Sequence, residues 1–167
     1  MKRYDSYKDS GVEWIGEIPN HWKCMKFTHI TDNITCGYTS TPDYYDEGIM
    51  FLSSQNVKKR KLDLWKYNFI SEELHSELTK HRRVVKGDIL VVRVGSGIGN
   101  SCVVDIDDEF SIYVSLTHVR LKPIKYHNYF YNYVFNSPKF KEECLNITKH
   151  GGGVGNPNVK DFERFKF

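Results

Sequence analysis

The apolar run Ile89-Leu90-Val91-Val92 constrains the fold most, because a glycine-rich segment and a second apolar run follow it directly. The glycine-rich segment is Gly95-Ser96-Gly97-Ile98-Gly99-Asn100, and the second run is Cys102-Val103-Val104. Apolar and β-branched residues favour strands, and glycine accepts the backbone angles of tight turns. We therefore predict a central strand, Ile89–Val92, that returns through a glycine-rich hairpin.

Shorter apolar patterns on both sides of this hairpin predict further strands. Residues 49–52 (IMFL) are a candidate buried strand, and residues 113–114 and 118–121 are interpreted as two more. Residues 24–35 alternate only loosely, so they fit either a strand or a short helix.

Three segments carry helical signals. Ser71 is a suitable N-cap and two glutamates follow it, which predicts a helix over 72–81. Aromatic residues recur at helical spacing over 129–135, and Ser137-Pro138 predicts the start of a further helix that ends near 147–148. The order of these elements predicts a mixed sheet flanked by helices.

Size and composition favour one domain with its own core. The chain has 167 residues, of which 40% are hydrophobic and 14% aromatic, which argues against a disordered tail. No apolar run approaches the ~18 residues of a membrane span, and the N-terminus lacks the apolar stretch of a secretory signal. The four cysteines show no zinc-binding spacing. We therefore expect a reduced, cytoplasmic protein without a membrane segment.

Charge is distributed in blocks although the formal net charge is only +3. Residues 58–93 and 119–167 are net basic, whereas residues 1–57 and 94–118 are net acidic. Folding could join the basic blocks into one positive face, and a scattered, solvated surface is the alternative.

Two motifs with possible chemistry are given structural interpretations. Gly95-x-Gly97-x-Gly99 resembles part of a nucleotide loop, but a strand is predicted after it, where a dinucleotide site needs a helix. The acidic cluster at 105–109 has no paired histidine and no EF-hand spacing, so we interpret it as a solvated turn.

The most basic run, Lys58-Lys59-Arg60-Lys61, follows the polar segment Ser53-Ser54-Gln55-Asn56. Lysine and arginine bind phosphates, and asparagine and glutamine can pair with adenine in the major groove. A charge run is more often a solvated face, so on its own this run leaves both interpretations open.

Four segments, in order along the chain, resemble the target recognition domains of type I restriction–modification specificity subunits. The opening block is YKDSGVEWIGEIPNHW, residues 7–22, and GIMFLSSQNV, residues 48–57, is similar to the next. The third is KGDILVVRVG, residues 86–95, with its glycine turn, and GNPNVKDF, residues 155–162, resembles the closing block.

This resemblance implies a single target recognition domain over residues 1–167, with an aromatic N-terminal arm over 1–23. The implied fold is a mixed α+β (α/β) domain with a twisted, mostly antiparallel β-sheet flanked by helices. Phe167 falls where the family enters its first spacer helix, so that helix and a second recognition domain are expected to be absent from this sequence.

The resemblance further implies sequence-specific binding of double-stranded DNA without catalysis. Such a domain reads one half of a bipartite target, and partner methyltransferase (M) and restriction (R) subunits methylate adenine or cleave DNA. We expect no catalytic residue, metal or cofactor in this chain. S-adenosylmethionine, ATP and Mg²⁺ are expected only in the partner subunits.

The candidate DNA contacts divide into phosphate-binding and base-reading residues. For phosphates we expect Lys58, Lys59, Arg60 and Lys61, with Lys80, Arg82 and Arg83 secondary. For bases we expect three loops, carrying Tyr38, Thr39 and Ser40; Ser54, Gln55 and Asn56; and Arg93, Ser96 and Asn100. A fourth loop, Gly151–Asn156, is expected to close over the DNA with Asn156, and a flexible connection is the alternative. Phe51 and residues 89–92 are expected in the core.

Two other classes remain open. A small metal-dependent endonuclease would need clustered carboxylates and a lysine around a divalent ion, and the acidic residues at 105–109 lie in a stretch without Lys or Arg. A protein-binding module could use the aromatic arm at 4–22 as its contact surface.

Overall fold

The computed structural model of the chain describes residues 4–123, 125–150 and 157–167. The strands are β1 (Tyr7–Asp9), β2 (Glu17–Pro19), β3 (Thr31–Cys36), β4 (Ile49–Leu52), β5 (Val57–Lys58), β6 (Lys61–Leu62), β7 (Asn68–Ile70), β8 (Ile89–Val92), β9 (Ser101–Val103), β10 (Phe110–Ile112) and β11 (Leu116–Leu121). The helices are α1 (Phe27–Ile30), α2 (Glu72–Thr79), α3 (Asn128–Phe135), α4 (Pro138–His150) and α5 (Val159–Arg164), with a short 3-10 turn at Ser54–Asn56.

The main sheet is antiparallel, with the strand order β3-β11-β8-β9. β8 pairs with β9 in the register Ile89↔Val103 and Val91↔Ser101, so the predicted central strand and glycine-rich hairpin are confirmed. A second sheet has the order β10-β4-β7, in which β10 and β4 run parallel. The predicted mixed α+β architecture, mostly antiparallel and flanked by helices, is likewise confirmed.

Two apolar cores lie on the two faces of the main sheet, and β8 contributes to both. Ile89 and Val91 join a core with the helices, whereas Leu90 and Val92 join a core with the second sheet. All four side chains are fully buried, as expected for successive residues of a central strand that point to opposite faces. Burying an aliphatic side chain of this size stabilises a fold by about 1.5–3 kcal/mol. The domain is therefore layered: helices, main sheet, second sheet.

All three predicted helices are present, as α2, α3 and α4. Ser71 caps α2, since its hydroxyl accepts the N–H of Leu74 at 3.2 Å, and α4 begins at Pro138. The ambiguous segment 24–35 contains both alternatives, because α1 passes directly into β3.

The predicted strand at residues 113–114 is wrong. The strand lies just before it, at Phe110–Ile112, and residues 113–115 connect that strand to β11. The short apolar pair resembles a strand in sequence, but its backbone makes contacts with three different segments instead of one partner strand.

The N-terminal arm folds back onto the domain. β1 and β2 form a hairpin, with Tyr7 opposite Pro19. The Trp14 ring meets the rings of Phe140 and Phe167 at centroid distances of 5.9 and 5.5 Å, edge to face. Aromatic contacts of this geometry stabilise beyond simple burial, so the arm is part of the helical core. Among the described residues, no helix is long and apolar enough to cross a membrane.

A buried carboxylate, Asp88, fixes the start of β8. It accepts hydrogen bonds from Arg120 Nε at 2.8 Å and from the Val85 N–H at 2.8 Å, and His118 Nε2 lies 2.7 Å away. The amide nitrogen of Asn33 lies 3.3 Å from His118 Nδ1; an amide nitrogen can only donate, so His118 Nε2 carries the proton given to Asp88. Burial alone would raise the pKa of Asp88, but the hydrogen bonds outweigh it and lower that pKa.

Replacing Asp88 by alanine should destabilise the domain by about 3–5 kcal/mol, because it leaves His118 and Arg120 without their buried partner. Since the folded pKa of Asp88 is lowered, its contribution is complete above the unfolded pKa of about 3.9 and is lost as the pH falls through the folded value. Urea unfolding at neutral and acidic pH measures both effects. Asp107→Ala, which removes an exposed ion pair with Lys86, is the control and should change little. Equal losses for the two variants would contradict this assignment.

Candidate nucleic-acid interface

The segment 113–115 brings two of the predicted base-reading loops together. The Val114 N–H donates to the carbonyl oxygen of Tyr38 at 2.8 Å, and the Tyr113 N–H donates to that of Leu52 at 2.8 Å. The loop that begins at Tyr38 and the polar turn that follows β4 are therefore held side by side.

The same segment also anchors the third loop. Ser115 is buried, and its hydroxyl accepts the backbone N–H of Ser54 at 2.9 Å. Its carbonyl oxygen accepts the backbone N–H of Arg93 at 3.0 Å. Three loops that are distant in sequence therefore converge on three consecutive residues.

The basic run forms the tip and strands of the β5–β6 hairpin. All four of its side chains are exposed, and none of them forms an ion pair within the described ranges. Val57 and Leu62 anchor the base of the hairpin in the core beneath the second sheet. The hairpin thus presents four uncompensated positive charges on a fixed support; they are Lys58, Lys59, Arg60 and Lys61.

Arg60 occupies a special backbone position at the tip. Its φ of 64° is the one positive value at a residue other than glycine among those described. Its N–H donates to the Ser101 carbonyl oxygen at 2.8 Å, and its guanidinium carbon lies 4.7 Å from the Tyr133 ring centroid. These contacts tie the hairpin to β9 and α3, and hold the Arg60 cation on one side of the tip.

The glycine-rich turn between β8 and β9 is seated on helix α4. A Cβ at Gly99 would lie 2.7 Å from Lys141 Cγ and 3.3 Å from Lys141 Cα, so only glycine allows this approach. The Lys141 ammonium donates to the side-chain oxygen of Asn100. Burial and the neighbouring charge of Lys59 lower the pKa of Lys141. The glycine turn therefore contacts α4 at Lys141, and the charge of the basic hairpin acts on the same lysine.

Asn56 was predicted to read bases, and this prediction is wrong. Its side chain is only 1% exposed, and its amide donates to the carbonyl oxygens of Asp63 at 2.9 Å and Lys66 at 2.8 Å. Its side-chain oxygen accepts the Ser53 N–H at 3.0 Å. Asn56 therefore braces the turn from beneath, while its neighbour Gln55 is exposed.

Arg93 has a feature expected of a ligand-binding residue. Its Nε lies buried without a hydrogen-bond partner, and the side chain is half-buried at the start of the glycine turn. An unpaired buried donor is costly, so an acceptor supplied by a ligand would stabilise it. Ser96 is exposed in the same turn, and Asn100 is half-buried against Lys141.

A cleft of about 420 Å³ opens next to the first loop and accounts for some of the other predicted contacts. Tyr38, Thr39 and Arg82 line this cleft, and Ser40 is exposed beside it. Arg83 forms an ion pair with Glu109, which offsets its charge. Lys80 ends α2 and is exposed. The predicted contact Asn156 and the loop Gly151–Asn156 lie outside the described residues.

Two of the four acidic residues at 105–109 form ion pairs. Asp107 pairs with Lys86 at 2.7 Å, and Glu109 pairs with Arg83 and lies 3.5 Å from His75. Within the described ranges, no group of three or more His, Cys, Asp or Glu residues is arranged to hold a metal ion.

The aromatic arm borders an apolar cleft of about 970 Å³ beside α3, with Trp22 and Phe130 on its wall. Both rings are partly exposed and meet edge to face at 5.5 Å. A protein-binding role for the arm stays a prediction.

Sequence reasoning missed Lys141, Tyr133 and the 113–115 segment. Lys141 and Tyr133 lie on helices whose sequence gives no sign of what they face across the fold. The one available signal was the spacing of the glycines, which indicated a close backbone approach without identifying the neighbour.

Comparison of the sequence with known proteins links it to one class. No family model matches the chain. It is 27% identical over 139 residues to the specificity subunit of the type I restriction enzyme MjaVIII of Methanocaldococcus jannaschii. The match covers 80% of this chain and 32% of that subunit, so the chain spans about a third of the length of this relative.

Solved structures of the same class share the fold. The HsdS subunit from Thermoanaerobacter tengcongensis matches 96% of this chain and 35% of its own with a TM-score of 0.63 and 12% identity. A chain from a type I R-M system, solved to explain complex assembly and conformational transition, matches with a TM-score of 0.61 and 15% identity. That match covers 90% of this chain and 34% of the other chain. The S subunit from M. genitalium matches with a TM-score of 0.51 and 13% identity, covering 86% of this chain and 33% of that subunit. The predicted resemblance to type I specificity subunits is confirmed.

Replacing Gly99 by alanine should destabilise the domain more than replacing Gly95. Both residues have a positive φ, 80° and 92°, which costs a residue with a side chain about 1–2 kcal/mol. Only Gly99 contacts Lys141, whereas a Cβ at Gly95 meets nothing within 4 Å. Urea unfolding of the two variants therefore isolates the contact with α4, and identical losses would show that the turn is not seated on the helix.

Proposed function

We propose that this chain is a non-catalytic module that binds double-stranded DNA and reads one half of a bipartite target for a type I restriction–modification complex. The observation that carries the proposal is the convergence of three polar loops on the 113–115 segment. The exposed basic hairpin lies beside the glycine turn of the third loop. The similarity to type I specificity subunits supports the same conclusion.

The basic hairpin would hold the DNA backbone and set the register of the loops. Phosphate contacts position a protein on the duplex but carry no sequence information directly. The hairpin suits this task because its base is buried and its tip is bonded to β9, so its four cations move little relative to the loops. Its lack of ion pairs within the described ranges leaves these charges available for phosphates.

Base reading would rest on side chains that project from anchored turns. Gln55 is exposed on a turn whose shape Asn56 fixes from below, and glutamine can form a bidentate pair with adenine. Arg93 brings an unpaired donor to the glycine turn, and arginine can form a bidentate pair with guanine. Tyr38, Thr39, Ser40, Ser54 and Ser96 would contribute further contacts from the same loops.

Methylation and cleavage would belong to partner subunits in the cytoplasm. The chain spans about a third of the length of its curated relative. In this proposal it supplies half of the sequence reading and none of the chemistry. S-adenosylmethionine, ATP and Mg²⁺ would be held by the methyltransferase and restriction subunits. Incubating the purified chain with Mg²⁺ and plasmid DNA tests this division, since nicking would replace the proposal with the endonuclease alternative.

Neutralising the basic hairpin should weaken DNA binding for every sequence to a similar extent. The variant replaces Lys58, Lys59, Arg60 and Lys61 by glutamine, and it should flatten the dependence of affinity on salt by about 0.9 per lost phosphate contact. Fluorescence anisotropy with duplexes over a range of salt concentrations measures both quantities. A changed sequence preference with an unchanged salt dependence would contradict the assignment.

Gln55 and Asn56 should respond differently to alanine substitution although they are adjacent. Gln55→Ala should relax preference at one base pair by about 1–3 kcal/mol and leave folding intact. Asn56→Ala should destabilise the domain, because it removes a buried side chain that hydrogen-bonds to three backbone groups. Selection from randomised duplexes, together with urea unfolding, tests the pair. If Gln55→Ala left the selected sequence unchanged, this turn would be removed from the reading surface.

A further inference from the structure

We propose that Lys59 and Lys141 together bind a single phosphate of the DNA backbone at the edge of the glycine turn. This inference rests on the proposed function and deepens it, because it names a contact site in which helix α4 takes part. The candidates chosen from the sequence did not include a residue of α4.

The two lysines approach each other from separate elements. Lys59 lies in the turn of the β5–β6 hairpin, and Lys141 lies in the first turns of α4. Lys59 precedes Arg60, whose N–H donates to the Ser101 carbonyl oxygen at 2.8 Å, and Lys141 donates to the adjacent residue Asn100. The two lysines are therefore attached to consecutive residues at the end of the glycine turn. In agreement with this placement, the charge of Lys59 adds to the effect of burial in lowering the pKa of Lys141. Like charges brought together in this way repel each other unless an anion lies between them.

The position of Lys141 is fixed by its surroundings. Its side chain lies against Gly99, whose missing Cβ permits the contact, and its ammonium donates to the neutral side-chain oxygen of Asn100. An ammonium has three donors, and this bond uses one, so two remain for a ligand. Within the described ranges neither Lys141 nor Lys59 forms an ion pair.

Arg60 adds a third positive charge near the two lysines, but its contacts hold it outside the proposed phosphate site. Its guanidinium lies over the Tyr133 ring, and its N–H holds the hairpin tip to Ser101. Both contacts limit the movement of the hairpin tip that carries Lys59, because the tip cannot move away from β9 and α3 without breaking them. The site therefore exists before DNA arrives, which lowers the entropic cost of binding.

A phosphodiester is the ligand that fits this site best. It carries one negative charge and several acceptor oxygens, enough to receive donors from two ammonium groups at once. The site also adjoins the turn that carries Arg93, Ser96 and Asn100, so a phosphate held here would place that turn over the neighbouring bases. Lys141 and Lys59 would thus set where the glycine turn enters the groove.

The test uses the full chain, a mixed-sequence duplex, and the variants Lys59→Gln, Lys141→Gln and the double variant. Counter-ion release counts neutralised phosphates, and each contributes about 0.9 to the slope of log affinity against log salt. If both lysines share one phosphate, the double variant should lose about 0.9 in total, whichever lysine is replaced first. Two separate phosphates would give about twice that loss, and this result would overturn the proposal.

Matched variants distinguish the effect of the Lys141 charge on DNA binding from effects on folding and from the support that Lys141 gives to Asn100. Lys160→Gln removes the same charge from α5, which contacts β3 at the opposite edge of the main sheet, and it should leave the slope nearly unchanged. Lys141→Arg keeps the charge and should retain the slope. If Lys141→Gln weakened binding with the slope unchanged, Lys141 would only brace Asn100, and the phosphate site would be rejected.

The outcome for the wild type distinguishes the two proposals. If the wild-type chain does not bind the duplex at low salt, both the proposed function and this inference fail. If it binds with a steep salt dependence but the two lysine variants match Lys160→Gln, the DNA-reading function stands and the shared phosphate site is wrong.

Discussion

Every side chain of β8 is buried, so this strand needs an apolar layer on each of its faces. The helices supply one layer and the second sheet supplies the other. Each end of the strand then leads to a fixed feature: the Asp88 network at its start and the glycine turn at its finish. The polar loops thus project from a part of the domain that cannot shift without exposing one of its two cores.

Features that depend on neighbouring residues could be predicted from the sequence. The strand–turn–strand of β8 and β9, the cap at Ser71 and the start of α4 at Pro138 follow from local backbone preferences. The pairing of β10 with β4 and the meeting of three loops at Ser115 could not be predicted, because they join residues that are far apart along the chain. Such contacts depend on the whole packing arrangement, which single-sequence patterns do not encode.

Single side chains of the candidate site show the same difference between what the sequence predicts and what it does not. Gln55 and Asn56 have similar chemistry and adjacent positions, but one is exposed and the other is buried with its hydrogen bonds satisfied. Residue type indicated that the turn is polar, but it did not indicate which amide points inward. Lys141 shows the converse, since a lysine on a helix is usually solvated and here it lies against a turn from another part of the chain.

Arg60, at the hairpin tip, adopts a left-handed backbone conformation that glycine would adopt without strain. Keeping a cation there costs the native state conformational strain, and a glycine at that position would relieve the strain while removing the charge. Under the proposed function, stability and phosphate binding would therefore place opposite demands on this one residue. Selection for heat tolerance alone would then favour glycine at the hairpin tip and reduce the DNA affinity proposed for the hairpin.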